Sequence, residues 1–144
     1  MKKIVYILIL TTLIACNNSE FELCGLGITK PYYYTGLSYK GGVYEIETQV
    51  SQAFEKVKTN STGIAKIRFK INCKGNIGDL EYEEYDLNYM KTNLNDSIEI
   101  LLTQSITNLT DWIPGKNSDN QNINSHSFLS FRIIEGEITE ILPK

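Results

Sequence analysis

The sequence contains few of the residues that build metal sites, disulfide scaffolds and extended linkers: one histidine, three cysteines and three prolines among 144 residues. A single histidine excludes sites built on two histidines. Three cysteines are too few for a disulfide-dense scaffold, and no pair of them is spaced for a zinc site. The formal net charge of −3, from 14 basic and 17 acidic side chains, excludes the basic surface typical of nucleic-acid binding. What is present is a 42% hydrophobic chain of single-domain length, too apolar to be disordered.

The first fifteen residues are predicted to be a lipoprotein signal peptide. Lys2 and Lys3 form a basic start, and the apolar run that follows is about twelve residues, shorter than the roughly 20 of a membrane-spanning helix. The run ends in Leu13-Ile14-Ala15-Cys16, which resembles the bacterial lipobox. The resemblance implies cleavage before Cys16 and attachment of acyl chains, such as palmitate, to this cysteine. The alternative is an ordinary secretory signal with an incidental cysteine.

A lipidated Cys16 would make the membrane the first partner of the mature chain. Several acyl chains anchor a protein stably. Removal of Lys2 and Lys3 leaves 12 basic and 17 acidic side chains, a net charge of −5, and no polybasic attraction to lipid. Asn17, in lineages that sort lipoproteins by this position, points to the outer membrane. The predicted location is the outer membrane, with the domain in the periplasm or at the cell surface.

Residues 16–42 are predicted to form an extended, tyrosine-rich arm. Tyr32, Tyr33 and Tyr34 are consecutive, and the segment lacks hydrophobic periodicity. The three tyrosines are candidates for a partner-binding platform. The alternative is that they cover an edge of the core and leave their hydroxyl groups in water.

Residues 43–144 are predicted to fold as an α+β domain in which an antiparallel sheet of three to four strands is covered by two helices. Apolar residues three or four positions apart predict the helices, and alternation of apolar and polar residues predicts the strands. Asp96 and Glu99 have the spacing of a capping box at the second helix. The predicted order is helix 43–58, strands 64–73 and 79–85, helix 96–109, and strands 127–134 and 137–142.

The first two strands are predicted to pair as an antiparallel hairpin. Lys66 and Arg68 share one face of the first strand, and Glu81 and Glu83 share one face of the second. Opposite charges across the pair favour this register by a few tenths of a kcal/mol each. The following helix returns the chain, so the third strand lies beside the first and the order is second, first, third. The last strand then pairs back through the turn at Glu135-Gly136.

Gly63 to Ile134 resembles the carboxy-terminal domain of TonB, in the form common in Bacteroidota. The matching features are the alternating first strand, its turn Lys74-Gly75-Asn76-Ile77, the helix exit Asp111-Trp112-Ile113-Pro114-Gly115-Lys116 and the closing Phe131-Arg132-Ile133. The resemblance implies a periplasmic module that binds an extended transporter peptide by strand addition. Energy transduction is not expected, because the sequence shows neither the transducer's membrane helix nor its Pro-rich spacer.

The predicted last strand bears on that implied activity. If residues 137–142 pair with residues 127–134, they occupy the edge at which TonB takes its peptide. Glu137, Glu140 and Pro143 are typical of a protected outer edge. We therefore expect no peptide binding by the TonB route, and the alternative is a frayed tail that leaves residues 127–134 open.

No group of residues in the sequence supports a catalytic or metal-binding assignment. Cys73 and His126 lack a third residue that would orient them, and the acidic residues of the second strand lack calcium-loop spacing. Trp112 is a candidate for partner binding or, alternatively, a core plug at the helix exit. Once Cys16 is lipidated, Cys24 and Cys73 form a candidate disulfide; the alternative is that Cys73 is a core thiol.

These patterns predict a lipid-anchored binding or assembly module of the cell envelope, with an envelope protein as partner. No enzyme activity, cofactor, metal or nucleic acid is expected. The alternatives are a small envelope hydrolase or inhibitor whose site the sequence does not reveal, and a TonB-like peptide binder in transport.

Overall fold

The computed structural model describes residues 21–54 and 59–144. The predicted signal peptide, Cys16 and residues 55–58 at the predicted end of the first helix lie outside these ranges. None of the helices described is long and apolar enough to cross a bilayer. The elements are β1 Lys30–Pro31, α1 Tyr32–Thr35, β2 Ser38–Tyr39, α2 Gly42–Phe54, β3 Gly63–Ile71, β4 Ile77–Tyr85, α3 Asp96–Thr107, β5 Trp112–Ile113, β6 Gly115–Lys116, β7 Asn122–Ile123, β8 Ser125–Ile134 and β9 Glu137–Leu142.

Five strands, rather than the predicted three to four, form the main sheet of this α+β fold, because β1 of the amino-terminal segment also pairs with β8. β3 lies antiparallel between β4 and β8. On the other side of β8, β9 pairs antiparallel along Ser130–Ile134 and β1 pairs parallel at Ser125 and His126. The predicted order of second, first and third strand is confirmed, as is the pairing of the last strand. Glu135 and Gly136 adopt φ values of 50° and 84°, which a tight two-residue hairpin turn requires.

Both longer helices bury one apolar stripe. Three side chains of each recur at helical spacing and are buried: Ile46, Val50 and Phe54 of α2, and Ile98, Leu102 and Ile106 of α3. They share one hydrophobic cluster with inward residues of the strands, including Ile67, Phe69 and Phe131. Because burial of each such side chain contributes about 1.5–3 kcal/mol, this cluster fixes which face of the sheet the helices cover.

The opposite face carries the outward side chains of the same strands. Lys66 is in register with Glu83, and Arg68 with Glu81. Arg68 Nε lies 3.2 Å from the Glu81 carboxylate and its Nη2 lies 3.0 Å from Glu83, so the predicted contact of basic and acidic rows is confirmed. Exposed pairs of this kind contribute between zero and about 1 kcal/mol, which supports the register without determining the fold.

Two local predictions are wrong. The tyrosine-rich segment is not extended throughout, because Tyr32–Thr35 form one helical turn that Gly36 ends at φ 67° with its N–H donating to the Tyr32 carbonyl. The cap of α3 is Asn95 rather than Asp96: Asn95 is extended, and its side chain accepts a hydrogen bond from the Ser97 N–H at 2.8 Å.

Candidate binding face

The three consecutive tyrosines lie together beside the uncovered face of the sheet. The ring centroids of Tyr32 and Tyr33 are 5.4 Å apart, and those of Tyr33 and Tyr34 are 4.7 Å apart. Tyr32 is half-buried and packs edge to face against Phe128, an outward residue of β8, at 6.2 Å. Tyr33 and Tyr34 are exposed. The tyrosines are therefore attached to the sheet through one ring and leave two rings accessible.

A shallow groove of about 650 Å³ continues from Phe128 across the same face. Its apolar lining comes from Ile64, Tyr85, Tyr89, Phe128, Leu142 and Pro143. Ile64 is buried yet does not belong to the cluster under the helices. The Nζ of Lys66 lies 4.9 Å from the Phe128 ring centroid, a cation–π contact. We refer to Tyr32, Tyr33, Tyr34, Phe128, Ile64, Tyr85 and Leu142 as the open-face strip.

Much of the rest of the uncovered face carries charges that pair with one another. Besides the two contacts of Arg68, Lys70 Nζ lies 2.9 Å from Asp79 and Lys91 Nζ lies 3.7 Å from Glu83. The nearby Tyr85 hydroxyl, followed by the Arg68 guanidinium, lowers the pKa of Glu83, which stays ionised at neutral pH. Since these charges already have partners, the open-face strip is the part of the face with the most to gain from contact with another molecule.

Trp112 lies apart from the open-face strip. Its ring is 5.1 Å from both Tyr39 and Phe69, where β2 pairs with β5 beside the core. Its Nε1 is buried without a hydrogen-bond partner among the residues the structure describes. This placement fits the alternative of a core plug. Of the four residues predicted for partner binding, the three tyrosines lie together beside the open face, and Trp112 lies elsewhere.

A disulfide joins Cys24 to Cys73, with Cα atoms 5.9 Å apart, and attaches the amino-terminal segment to the end of β3. Asn124 links the same two segments of the chain by hydrogen bonds. Its Oδ1 accepts from the backbone N–H of Cys24 at 2.9 Å and of Cys73 at 3.2 Å. Its Nδ2 donates to the carbonyls of Cys24 at 2.9 Å and Ile28 at 3.2 Å. Sequence reasoning missed Asn124, which lies in a polar stretch that contains several asparagines.

The outer side of β8 is largely occupied. β9 covers Ser130–Ile134 and β1 covers Ser125 and His126, so residues 127–129 lie between two paired stretches. Strand addition requires a longer free row of backbone N–H and C=O groups. Contact through side chains on the face is therefore better supported than contact through this edge.

The described residues offer no constellation for metal or thiol chemistry. Across residues 21–54 and 59–144, no three His, Cys, Asp or Glu side chains are grouped to hold a metal ion. Cys73 is oxidised in the disulfide and is not a thiol nucleophile for His126 to activate. His126 is exposed, with Nδ1 3.0 Å from Thr29 Oγ1.

Comparisons with protein-family models, with curated proteins and with solved structures find no match to this chain. Sequence reasoning identified the tyrosines but missed Phe128, Ile64 and Leu142. The available signal was an apolar residue at an outward position of an alternating strand.

Proposed function

We propose that this protein is a lipid-anchored, non-catalytic binding module of the bacterial cell envelope, which holds a protein partner on the open face of its sheet. The observation that carries the proposal is the open-face strip. Single exposed hydrophobic residues are common on any surface, whereas contiguous ones mark interaction sites. Tyrosine suits such a surface because it combines a large apolar ring with a hydroxyl group that stays hydrated or bonds a partner.

The anchor is supported by the amino-terminal sequence. Lys2 and Lys3, the short apolar run and Leu13-Ile14-Ala15-Cys16 together match a lipoprotein signal, and Asn17 favours the outer membrane. The disulfide is consistent with an oxidising compartment such as the periplasm or cell surface.

The proposed relationship is to the TonB carboxy-terminal domain, used in a different way. A helix before β3, a β3–β4 hairpin, a second helix and a returning β8 support the resemblance in order and pairing. The occupied outer side of β8 favours a partner on the face of the sheet over an extended transporter peptide. A lipid anchor would also transmit no force from a motor that acts on a membrane-spanning helix.

Site-specific photo-crosslinking tests this proposal in native envelopes. A photoreactive phenylalanine analogue is placed at Tyr34 and, as a matched control, at Tyr44 on α2. The two tyrosines are 77% and 78% exposed, so their access to solvent is the same. We expect a discrete protein adduct from position 34 and none of that mass from position 44.

The same adduct should depend on the rest of the open-face strip. Phe128→Ala removes the ring against which Tyr32 packs, and we expect it to reduce the position-34 adduct without altering the amount of folded protein. Identical adducts from positions 34 and 44, or an adduct that persists undiminished in Phe128→Ala, would contradict a partner site on this face.

A further inference from the structure

Two aliphatic side chains project into solvent next to the disulfide. Leu26 is 93% exposed and Ile28 is 68% exposed. Both belong to residues 24–28, here called the stem loop. They do not belong to the open-face strip, and the proposed partner site makes no use of them.

The stem loop is held in place at both ends. Cys24 is fixed by the disulfide, and Asn124 Nδ2 bonds the carbonyls of Cys24 and Ile28. The Gly27 N–H donates to the Cys24 carbonyl at 3.3 Å, which closes a tight turn. Gly27 adopts φ 74°, a conformation that is strained for other residues. The exposure of Leu26 is therefore a property of a fixed turn.

The chain that leads to the proposed anchor is bound to the same end of the sheet. The Phe21 ring lies directly over Gly78, at the start of β4, so closely that a Cβ there would collide with it. Asn72 Nδ2 donates to the Glu22 carbonyl at 2.9 Å. Four residues separate Phe21 from Cys16. Even a fully extended chain places their Cα atoms no more than about 18 Å apart.

This limit decides which end of the domain faces the membrane. β4 has nine residues and is therefore about 30 Å long. A lipidated Cys16 keeps Phe21 near the bilayer, so the end with Gly78, Cys73 and the stem loop is the near end. The far end of β4, beyond Tyr85, lies one sheet length further along the domain.

We propose that Leu26 and Ile28 insert into the interfacial layer of the membrane that holds the anchor, and that the stem loop forms a second, protein-mediated membrane contact. The inference rests on the proposed lipid anchor at Cys16. Two aliphatic side chains match the apolar side of the headgroup boundary. Lys30 follows Ile28 in the sequence, and Lys74 follows Cys73, the disulfide partner of Cys24, so two positive charges suited to lipid phosphates accompany the stem loop. Such contact would orient the domain relative to the bilayer.

Tryptophan quenching by brominated lipid tests this contact. The full lipoprotein is reconstituted in phosphatidylethanolamine–phosphatidylglycerol vesicles with or without brominated acyl chains, as Leu26→Trp and as the control Met90→Trp. Met90 is 66% exposed and follows β4 at the far end of the sheet. The unsubstituted protein, whose single tryptophan is Trp112, supplies the baseline.

We expect the added tryptophan at position 26 to lose roughly half of its fluorescence in brominated vesicles, since a side chain about 5–10 Å into the headgroup boundary reaches the labelled chains. The tryptophan at position 90 should match its value in unlabelled vesicles. Equal quenching at both positions, or none at position 26, overturns the inference.

The outcomes separate this inference from the lipid anchor. Protein that floats with the vesicles but shows no quenching at position 26 retains the anchor and refutes the second contact. Protein that fails to float when Cys16 is intact refutes the anchor and, with it, the inference. Free-thiol labelling of the Leu26→Trp variant checks that the Cys24–Cys73 disulfide is intact and the stem loop still closed. A misfolded variant is then not mistaken for a negative result.

Discussion

Asn124 is expected to be a major source of stability for the amino-terminal segment. It is 4% exposed and makes four hydrogen bonds, to Cys24 twice, to Cys73 and to Ile28. Substitution Asn124→Ala removes all four and leaves two backbone N–H groups and two carbonyls without these partners. The disulfide stays intact, so the perturbation isolates the contribution of the side chain.

The expected loss follows from the number of bonds. One intramolecular hydrogen bond contributes about 0.5–1.5 kcal/mol net, so four give at most about 6 kcal/mol. The backbone groups at the exposed part of the stem loop regain water when the side chain is removed, and this recovery lowers the estimate to about 2–4 kcal/mol. That is a large share of the roughly 5–15 kcal/mol that stabilises a typical domain.

Urea unfolding of the oxidised chain from Asn17 onward, followed by circular dichroism, measures this loss. Asn122→Ala is the matched control, because Asn122 is two residues away, exposed and without a side-chain bond in the described structure. It should change stability by no more than about 0.5 kcal/mol. Asn124→Asp keeps the acceptor of two bonds but lacks the donor of the other two and places a carboxylate against the carbonyls of Cys24 and Ile28, so we expect no more than a partial rescue. A loss in Asn124→Ala that equals the loss in Asn122→Ala would refute the reasoning.

Three further predictions concern the anchor, the disulfide and pH. Cys16→Ser should release the protein from the membrane fraction or stall its processing, and unchanged membrane partition would contradict lipidation. Serine at both Cys24 and Cys73, which are 49 positions apart, should reduce the unfolding free energy by up to about 4 kcal/mol in urea titrations, and an unchanged midpoint would argue against this contribution. Burial, with the hydrogen bond to Glu84, raises the pKa of Tyr82. The folded chain therefore keeps the Tyr82 hydroxyl proton at pH values at which the unfolded chain begins to lose it. The free energy of unfolding should consequently fall as pH rises above about 10, by at most about 1.4 kcal/mol per pH unit. Tyr82→Phe should lack this slope between pH 9 and 11, and parallel slopes in the two proteins would count against it.

The main elements could be predicted because their patterns are local. Alternation over residues 64–73 and 127–134 predicted β3 and β8 to within two residues at each end, and β9 has the predicted bounds. The helices were equally clear from their apolar stripes. The paired charges of Arg68 with Glu81 and Glu83 followed from the hairpin register. In each case the information lies within one element or between two neighbours in sequence.

Apart from the candidate disulfide between Cys24 and Cys73, the organisation of residues 21–42 could not be predicted, because it depends on contacts with distant parts of the chain. β1 exists as a strand only through its pairing with β8 at Ser125 and His126. Asn124 bonds Cys24 across 100 positions. A tyrosine-rich segment without periodicity carries no local signal for either contact. The same limitation explains why Phe128, Ile64 and Leu142 were missed, since only the register of the sheet makes them neighbours.

The occupied edge and the open face together favour one mode of recognition. A strand-adding partner would read the backbone of β8, but β9 and β1 already bond most of its outer side. The outer side of β9 is flanked by Glu137, Glu140 and Pro143, which discourage a further strand. Recognition by side chains has no such obstacle on the face, where Tyr32 packs against Phe128 and the adjacent Tyr33 and Tyr34 are exposed. Binding through aromatic side chains should therefore be sensitive to the partner's surface chemistry and tolerant of its backbone conformation, the reverse of strand addition.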